Sequence, residues 1–314
     1  MIRSLFRLFC LLTLATILGA CGGTTPSAPT DPNTSSVSPP RSELHPSPLT
    51  LQVYTPQLQS IIPASSTILY GEREAILIDA QFASGDAWKL EEIISKSGKT
   101  LTAIYISHHD PAFYFGLEAL QRAFPEAKIL ATPQTIEGIR ANGEKDLSLW
   151  TPQLRDNAPG KIVIPDPIPG NTLMLEDQEL QIIGLDGPDP ERTFVWIPSI
   201  RTVVAGVTVS SGEHIWMADA RTPQSRAHWL VTLQRIEALQ PERVIPGRFS
   251  FDAPQDLEAV RFTADYVQTF DRAAAEAKNA DQLIDLMEQQ YPQLPGDIIL
   301  EISARIVKNE IRWR

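Results

Sequence analysis

The junction between an apolar segment and a polar loop in the first half of the chain constrains the fold most. Residues 101–106 read Leu-Thr-Ala-Ile-Tyr-Ile, a composition typical of a β-strand. Residues 107–116 follow as Ser-His-His-Asp-Pro-Ala-Phe-Tyr-Phe-Gly, and a helical apolar spacing begins at Leu117. A strand that ends in a loop dense in His and Asp is a common setting for metal chemistry. This junction therefore indicates an α/β domain with a site at the end of the strand.

Short β-type and helical patterns continue along the rest of the chain. The predicted strands are residues 51–54, 67–70, 75–79, 101–106, 128–131, 161–164, 172–175, 179–183, 193–197, 202–205 and 243–245. The predicted helices are residues 88–97, 117–124, a segment through 228–239, and three C-terminal segments at 255–277, 280–290 and 296–308. Gly71 marks a hairpin turn between the second and third strands. Mixed strands and helices predict an α/β architecture of two or four layers.

The first 48 residues are predicted to lie outside the globular domain. Residues 1–20 have Arg3 and Arg7 before an apolar run that is too short to span a membrane, which is typical of a signal peptide. The end of this run, Leu-Gly-Ala-Cys21, resembles a bacterial lipobox, which implies lipid attachment to Cys21 and anchoring in the bacterial cell envelope. The alternative is an ordinary secreted protein with an incidental cysteine. Residues 21–48 are rich in Ser, Thr and Pro and are predicted to form a disordered tether.

Charge and cysteine content exclude several kinds of function. The chain has 27 Lys and Arg against 38 Asp and Glu, a formal net charge of −11, so nucleic acid is not expected as a partner. There are two cysteines, Cys10 and Cys21, and both belong to the N-terminal segment. The globular domain therefore has no thiol for a disulfide, a metal site or nucleophilic catalysis.

Residues 107–116 resemble the metal-binding loop of the metallo-β-lactamase superfamily, Thr-His-x-His-x-Asp-His-x-x-Gly. Ser107, His108 and Gly116 match this pattern. Residues 75–79 resemble the family's early strand that ends in Asp, and residues 201–206 and 243–247 resemble its strands that end in Ala-Gly-Asp and Pro-Gly-His. The resemblance implies a four-layer αββα sandwich over residues 49–250, with residues 251–314 as a C-terminal helical extension.

Most metal ligands that the resemblance implies are replaced in this chain. The replacements are Asp110 and Phe113 for two His, Ala112 and Val207 for two Asp, and Arg248 for a third His. Asp186 or Asp189 is the oxygen ligand nearest to the position of the Gly-His-Thr segment. A guanidinium repels a dication at short range, so we expect Arg248 to fill the site and to pair with Asp110 or Asp186. The site is then free of metal.

Two alternatives to a metal-free site remain open. One is a single zinc ion held by His108, Asp110 and an acidic residue among 186–189. The other is a different alignment in which His109 is also a ligand. Otherwise His109 is interpreted as a loop histidine.

The remaining candidate residues are assigned to a pocket around the former metal centre. Asp79 is expected to orient the loop as a hydrogen-bond acceptor and not to act as a catalytic base. Phe113 and Tyr114, with Phe115, are expected to fill the former metal cavity with aromatic surface. His214 is a pocket or a packing residue, and Trp216 is assigned to the same pocket.

Three functions are compatible with these features. The favoured one is a membrane-anchored binding module for a small molecule or a partner, in which dinuclear zinc hydrolysis is lost and Arg248 is available to an anion. The alternative is a metallo-hydrolase with a reduced mononuclear site, acting on a small ester, amide or lactone. The third is a structural role, in which the C-terminal helices form an interaction surface.

Overall fold

The computed structural model describes residues 48–56 and 60–312. The predicted signal peptide, nearly all of the predicted tether, and Cys21 lie outside these residues. Within the described part, no helix is long and apolar enough to cross a membrane.

Six strands form the first sheet, in the order β1-β2-β3-β4-β5-β6. They are β1 (Thr50–Tyr54), β2 (Ser66–Tyr70), β3 (Glu74–Ile78), β4 (Thr100–Ile106), β5 (Lys128–Ala131) and β6 (Asp166–Pro167). The predicted hairpin is confirmed, because β2 and β3 pair antiparallel. Strands β3, β4 and β5 run parallel, so their carboxyl ends lie at one edge of the sheet.

Five strands form the second sheet, in the order β12-β10-β9-β8-β7. They are β7 (Thr172–Leu175), β8 (Gln178–Ile183), β9 (Phe194–Ile197), β10 (Thr202–Val204) and β12 (Arg243–Ile245). A short parallel pair, β11 (Ser210–Ser211) with β13 (Arg248–Phe249), follows the ends of β10 and β12. This pair fixes the backbone on both sides of Arg248.

Eight α-helices accompany these strands within the described residues. They are α1 (Ser84–Ser97), α2 (Pro111–Tyr114), α3 (Leu117–Ala123), α4 (Pro133–Leu154), α5 (Pro223–Ala238), α6 (Leu257–Glu276), α7 (Ala280–Gln290) and α8 (Asp297–Val307). One buried cluster joins the two sheets, for example Ile78 and Tyr105 with Val195 and Ile245. A second cluster joins the first sheet to α1, α3 and α4, and a third joins the second sheet to α5 and the C-terminal helices. These three cores produce four layers, αββα, as predicted.

The structure differs from the predicted elements between residues 133 and 167. Residues 133–160 contain one 22-residue helix, α4, whose Ile136 and Ile139 are buried in the core. The strand predicted at 161–164 is wrong: Val163 is buried in the core around α4, and pairing with β5 is limited to the two residues of β6. Prolines at 165, 167 and 169 have no N–H to donate to a β-ladder, which shortens this edge strand.

The C-terminal helices are built into the second half of the sandwich. Tyr266 and Phe270 of α6 share a buried cluster with Trp229 of α5 and Val244 of β12. Helices α7 and α8 add Leu283 and Leu300 to the same cluster. Residues 251–314, predicted as an extension, therefore share one core with the second sheet.

Candidate functional site

The loop between β4 and α2 is held by a buried aspartate from the neighbouring strand. Asp79 follows β3, and its carboxylate accepts hydrogen bonds from the backbone N–H and the hydroxyl of Ser107, each at 2.8 Å. Burial raises the pKa of Asp79 to about 7, against the opposing effect of these two hydrogen bonds. These contacts show Asp79 as the loop-orienting acceptor that the sequence predicts.

Gly206 allows the second sheet to approach this loop closely. Its φ is +50°, and a Cβ at this position would lie 2.5 Å from the Ser107 hydroxyl. The carbonyl of Gly206 accepts the N–H of Gly247 at 3.0 Å, so the ends of β10 and β12 are joined directly. The loop from one sheet and the turn before Arg248 from the other therefore meet at one place.

His108 and Asp110 are both used in shaping the loop. The Nδ1 atom of His108 accepts the backbone N–H of Asp110 at 3.1 Å, and its ring stacks on His109 at 4.3 Å between centroids. Asp110 is the N-cap of α2, with Oδ1 accepting the N–H of Ala112 at 2.9 Å. Two of the predicted metal ligands thus have defined structural roles.

Arg248 forms a buried ion pair with Asp110. Its Nη2 donates to Oδ2 of Asp110 at 2.8 Å, and the two side chains are 8% and 11% exposed. The guanidinium carbon lies 5.8 Å from the ring centre of Phe113, whose ring is edge-on to His108. The predicted pairing of Arg248 with Asp110 is confirmed.

Asp186 is not part of this arrangement. Its side chain is 81% exposed and pairs with Arg235 of α5 at 2.5 Å. The prediction that Asp186 joins Arg248 or a metal ion is therefore wrong. Asp189, the other acidic candidate, pairs with Arg192 at 3.4 Å.

Arg192 is a second buried cation near Asp110 that sequence reasoning missed. Its guanidinium lies 3.8 Å above the ring centre of Trp229, and its Nη1 has no partner among the described residues. Burial lowers the pKa of Arg192, while nearby carboxylates, Asp110 among them, oppose that shift. Its position directly after a segment that contains Asp186, Asp189 and Glu191 could have indicated it, because buried arginines need carboxylates beside them.

The aromatic residues of the loop face different regions. Phe113 lies at the site, as described above. Tyr114 packs against α4, where its hydroxyl would lie 3.4 Å from a Cβ atom if residue 143 were not glycine. Phe115 stacks on Phe82, with 5.6 Å between the ring centroids. Tyr114 and Phe115 thus belong to the core around the first sheet, and the assignment of Tyr114 to the pocket is corrected.

A cavity of about 620 Å³ lies beside Arg248. Its polar lining consists of Arg248, Glu213, His214, Ser60 and Ser250, and its other lining residues are Ile61, Ile62, Pro63, Phe249, Phe251, Pro295, Gly296, Ile298 and Ile299. The imidazole Nδ1 of His214 lies 3.0 Å from the hydroxyl of Tyr266. Burial lowers the pKa of His214, so the neutral ring is favoured. The cavity is therefore largely apolar, and Arg248 and Glu213 are the charged residues of its lining.

Glu213 is the second functional candidate that sequence reasoning missed. Burial raises the pKa of this carboxyl to about 7, although the charge of Arg248 opposes the shift. Glu213 directly precedes His214 in the sequence, but no spacing indicates that it lines a cavity. The cavity thus contains an acid whose charge changes near neutral pH.

His109 lines a different and more polar cleft, of about 380 Å³. Its Nε2 lies 3.6 Å from a carboxylate oxygen of Glu191, and Gly138 of α4 packs directly against the ring. Trp216, also assigned to the pocket, donates its indole N–H to Asp219 at 3.0 Å and packs against Ile306 of α8. The predicted pocket residues are therefore divided between two cavities and the packed interior.

The donor groups near His108 do not fit a dinuclear metal centre. Within the described residues, no three His, Cys, Asp or Glu side chains are placed to hold one metal ion. One oxygen of Asp110 caps a helix and the other binds Arg248, while Asp186 faces solvent. Two of the ligand-type residues that remain in the loop thus have other roles: His108 accepts a hydrogen bond within the loop, and Asp110 caps α2 and pairs with Arg248.

Comparisons with known proteins agree with this fold. The structure is similar to a metallo-beta-lactamase from Pontibacter korlensis, with 15% identity and a TM-score of 0.52, over 71% of this chain and 95% of that one. It is also similar to the DIM-1 metallo-beta-lactamase, with 17% identity and a TM-score of 0.51, over 72% of this chain and 99% of that one. No curated protein sequence matches the chain. The model of the metallo-beta-lactamase superfamily matches residues 61–248. Since this match covers more than half of the sequence, the chain belongs to the metallo-beta-lactamase superfamily.

Proposed function

We propose that this protein is a small-molecule binding module that has lost the dinuclear zinc hydrolysis associated with its fold. The observation that carries the proposal is the buried ion pair between Arg248 and Asp110. Arg248 stands where the family pattern has a histidine ligand, and Asp110 stands where it has another. One positive charge from the chain thus takes over the role of neutralising the remaining carboxylate.

Electrostatics opposes a metal ion at the same place. With an effective dielectric constant of about 20, a guanidinium and a dication about 4 Å apart repel each other by about 8 kcal/mol. Arg192 adds a second positive charge near Asp110. Binding zinc through Asp110 would therefore break the Arg248 pair and would also meet the repulsion of Arg192.

The cavity beside Arg248 supports the binding role. Its volume of about 620 Å³ is within the usual range for pockets that hold small molecules. The lining is mainly apolar, with a small polar group around Arg248 and Glu213, which is the usual composition of a ligand site.

We propose that the protein works at the membrane of the bacterial cell envelope, held by lipid on Cys21. The lipobox-like sequence before Cys21 and the Pro-rich segment after it support this location. A tether of this composition would hold the binding domain away from the membrane surface.

Metal analysis of protein purified without chelator tests the loss of the zinc centre. We expect substoichiometric zinc and iron, and an unchanged melting temperature in EDTA, because a metal bound only to the folded state must stabilise it. About one equivalent of zinc that is lost in His108→Ala, but kept in the control His228→Ala on α5, would instead support the mononuclear hydrolase. His228 is a half-buried helix residue away from the loop.

Binding of the neutral dye Nile red tests the cavity without assuming a ligand class. We expect its fluorescence to increase with wild-type protein and with Leu149→Asp, and the increase to be lost with Ile298→Asp. Ile298 lines the cavity and is 59% exposed, whereas Leu149, 47% exposed on α4, does not line it. Equal fluorescence in both variants would show that the cavity is not a binding site.

A further inference from the structure

We propose that the cavity beside Arg248 binds an amphipathic carboxylate, an aliphatic chain that ends in one carboxyl group, of which a fatty acid is the simplest example. This inference rests on the binding function proposed above and specifies its ligand. The carboxylate would accept hydrogen bonds from Arg248 and Ser60, and the aliphatic chain would lie along the apolar walls toward the opening.

The polar part of the cavity has unused hydrogen-bonding capacity. The Nε atom of Arg248 and the Oγ atom of Ser60 are both buried and have no partner among the described residues. Both residues line the cavity, and the Arg248 side chain is only 8% exposed. Buried polar atoms in folded proteins are nearly always hydrogen-bonded, so two orphaned atoms in one cavity indicate a polar ligand group.

Arg248 is oriented for an acceptor before any ligand binds. Its Nη2 is fixed by Asp110 at 2.8 Å, and its backbone is fixed by the pairing of β13 with β11. A guanidinium is rigid and planar, so the pair with Asp110 also fixes the direction of the Nε–H group. Since Nη2 is already paired, Nε offers one hydrogen bond, which a single carboxylate oxygen can accept.

The walls and the opening of the cavity suit an aliphatic chain. Ile62 and Phe249 are buried in the walls, while Ile61, Ile298 and Phe251 are 52%, 59% and 78% exposed. Large apolar side chains that gather at one opening are unusual on a soluble surface and mark sites that bind apolar groups. The apolar side chains thus continue from the wall beside Arg248 to the surface.

Glu213 makes the site sensitive to pH. The other polar residues that line the cavity are Arg248, the neutral His214, Ser60 and Ser250, and Asp297 at the start of α8 lies near His214. At a pH above its pKa of about 7, Glu213 is ionised and repels the carboxylate of the ligand. At a pH below this value, Glu213 is neutral and can donate a hydrogen bond to that carboxylate. A carboxylate ligand should therefore bind more tightly as the pH falls through 7, with uptake of a proton.

Calorimetric titration of the purified protein with sodium laurate, below its micelle concentration, tests the proposal. We expect one site, with binding about tenfold weaker or more in Ile298→Asp and unchanged in Leu149→Asp. Arg248→Gln should also weaken binding about tenfold or more, through the lost charged hydrogen bond. Arg248→Gln leaves Asp110 buried without its partner, so this variant can fail to fold. Ile298→Asp changes an exposed side chain that a folded protein tolerates, and it therefore decides the test.

Three further ligands and a pH series define the ligand class. We expect dodecanol, propionate and phosphatidylcholine vesicles to bind more weakly than laurate. Dodecanol and phosphatidylcholine have no free carboxylate, and propionate has no long aliphatic chain. Laurate should bind about fivefold more tightly at about pH 6 than at about pH 8, and Glu213→Gln should remove this difference.

Several outcomes would overturn the inference. Laurate that binds no better than dodecanol would exclude carboxylate recognition, and vesicle binding without laurate binding would identify the apolar opening as a membrane contact. If Nile red still requires Ile298 while laurate does not bind, the ligand class is wrong and the proposed binding function stands. If stoichiometric zinc is also found, the proposed function fails independently.

Discussion

Removing Arg248 should destabilise the protein through the carboxylate that it leaves behind. In Arg248→Met, Asp110 loses a partner at 2.8 Å in a place where both side chains are about nine-tenths buried. Breaking such a buried pair costs about 3–5 kcal/mol. We expect the lower end, about 3 kcal/mol, because Asp110 keeps the N–H of Ala112 and the positive field of Arg192.

The same reasoning predicts that a second substitution restores most of this loss. Asp110→Asn removes the charge but keeps a side-chain oxygen for the N–H of Ala112, so the cap of α2 is preserved. In Arg248→Met with Asp110→Asn, neither buried charge remains, and we expect a total loss of about 1 kcal/mol. The coupling between the two positions is then about 2 kcal/mol or more.

Urea unfolding of the four proteins at about pH 7, with equal m-values, measures this cycle. Arg235→Met is the matched control, because its pair with Asp186 is exposed to solvent and should change the free energy of unfolding far less. If Arg248→Met costs no more than Arg235→Met, or if the double variant is no more stable than Arg248→Met, the buried pair does not hold the site together.

Two further predictions concern a buried acid and the lipid anchor. The folded-state pKa of Asp79, about 7, exceeds its ordinary value of 3.8, so only the folded state holds this proton between those values. The contribution of Asp79 to the free energy of unfolding therefore falls as the pH rises from about 4 to about 7, by at most about 4 kcal/mol. Urea unfolding of Asp79→Asn should show a weaker decline than wild type over this range; identical pH profiles would contradict the assigned pKa. Cys21→Ser should move the protein from the membrane fraction to the soluble fraction, and a variant that stays with the membrane would argue against lipid on Cys21.

Local patterns were sufficient for much of the fold. The β2–β3 hairpin, strand β4 and the polar loop after it were predicted from β-branched and aromatic content, turn residues and an apolar run. Each of these signals lies within a few positions of the element that it predicts. The strand predicted at 161–164 was wrong because Ile162 and Val163 pack in the core around α4, with Ile162 against Gly143, a contact that no local pattern shows.

The candidate site shows the same division. The pairing of Arg248 with Asp110 could be predicted because the family pattern places both positions at one point. Asp186 was wrongly placed since its segment has no clear motif, and its side chain turns outward to Arg235. Arg192 and Glu213 were missed because long-range packing decides whether a charged side chain is buried, as Arg192 is, or lines a cavity, as Glu213 does. Residue type alone argues against both.

The cavity wall reaches beyond the part of the chain that the superfamily model matches. That match ends at residue 248, while Phe251, Pro295, Gly296, Ile298 and Ile299 line the cavity. Exposed positions of this lining, such as Ile298 and Phe251, can change without loss of the core that the C-terminal helices share with the second sheet. If the proposed site binds a ligand, substitutions there would alter the preferred chain length and shape while Arg248 keeps its place.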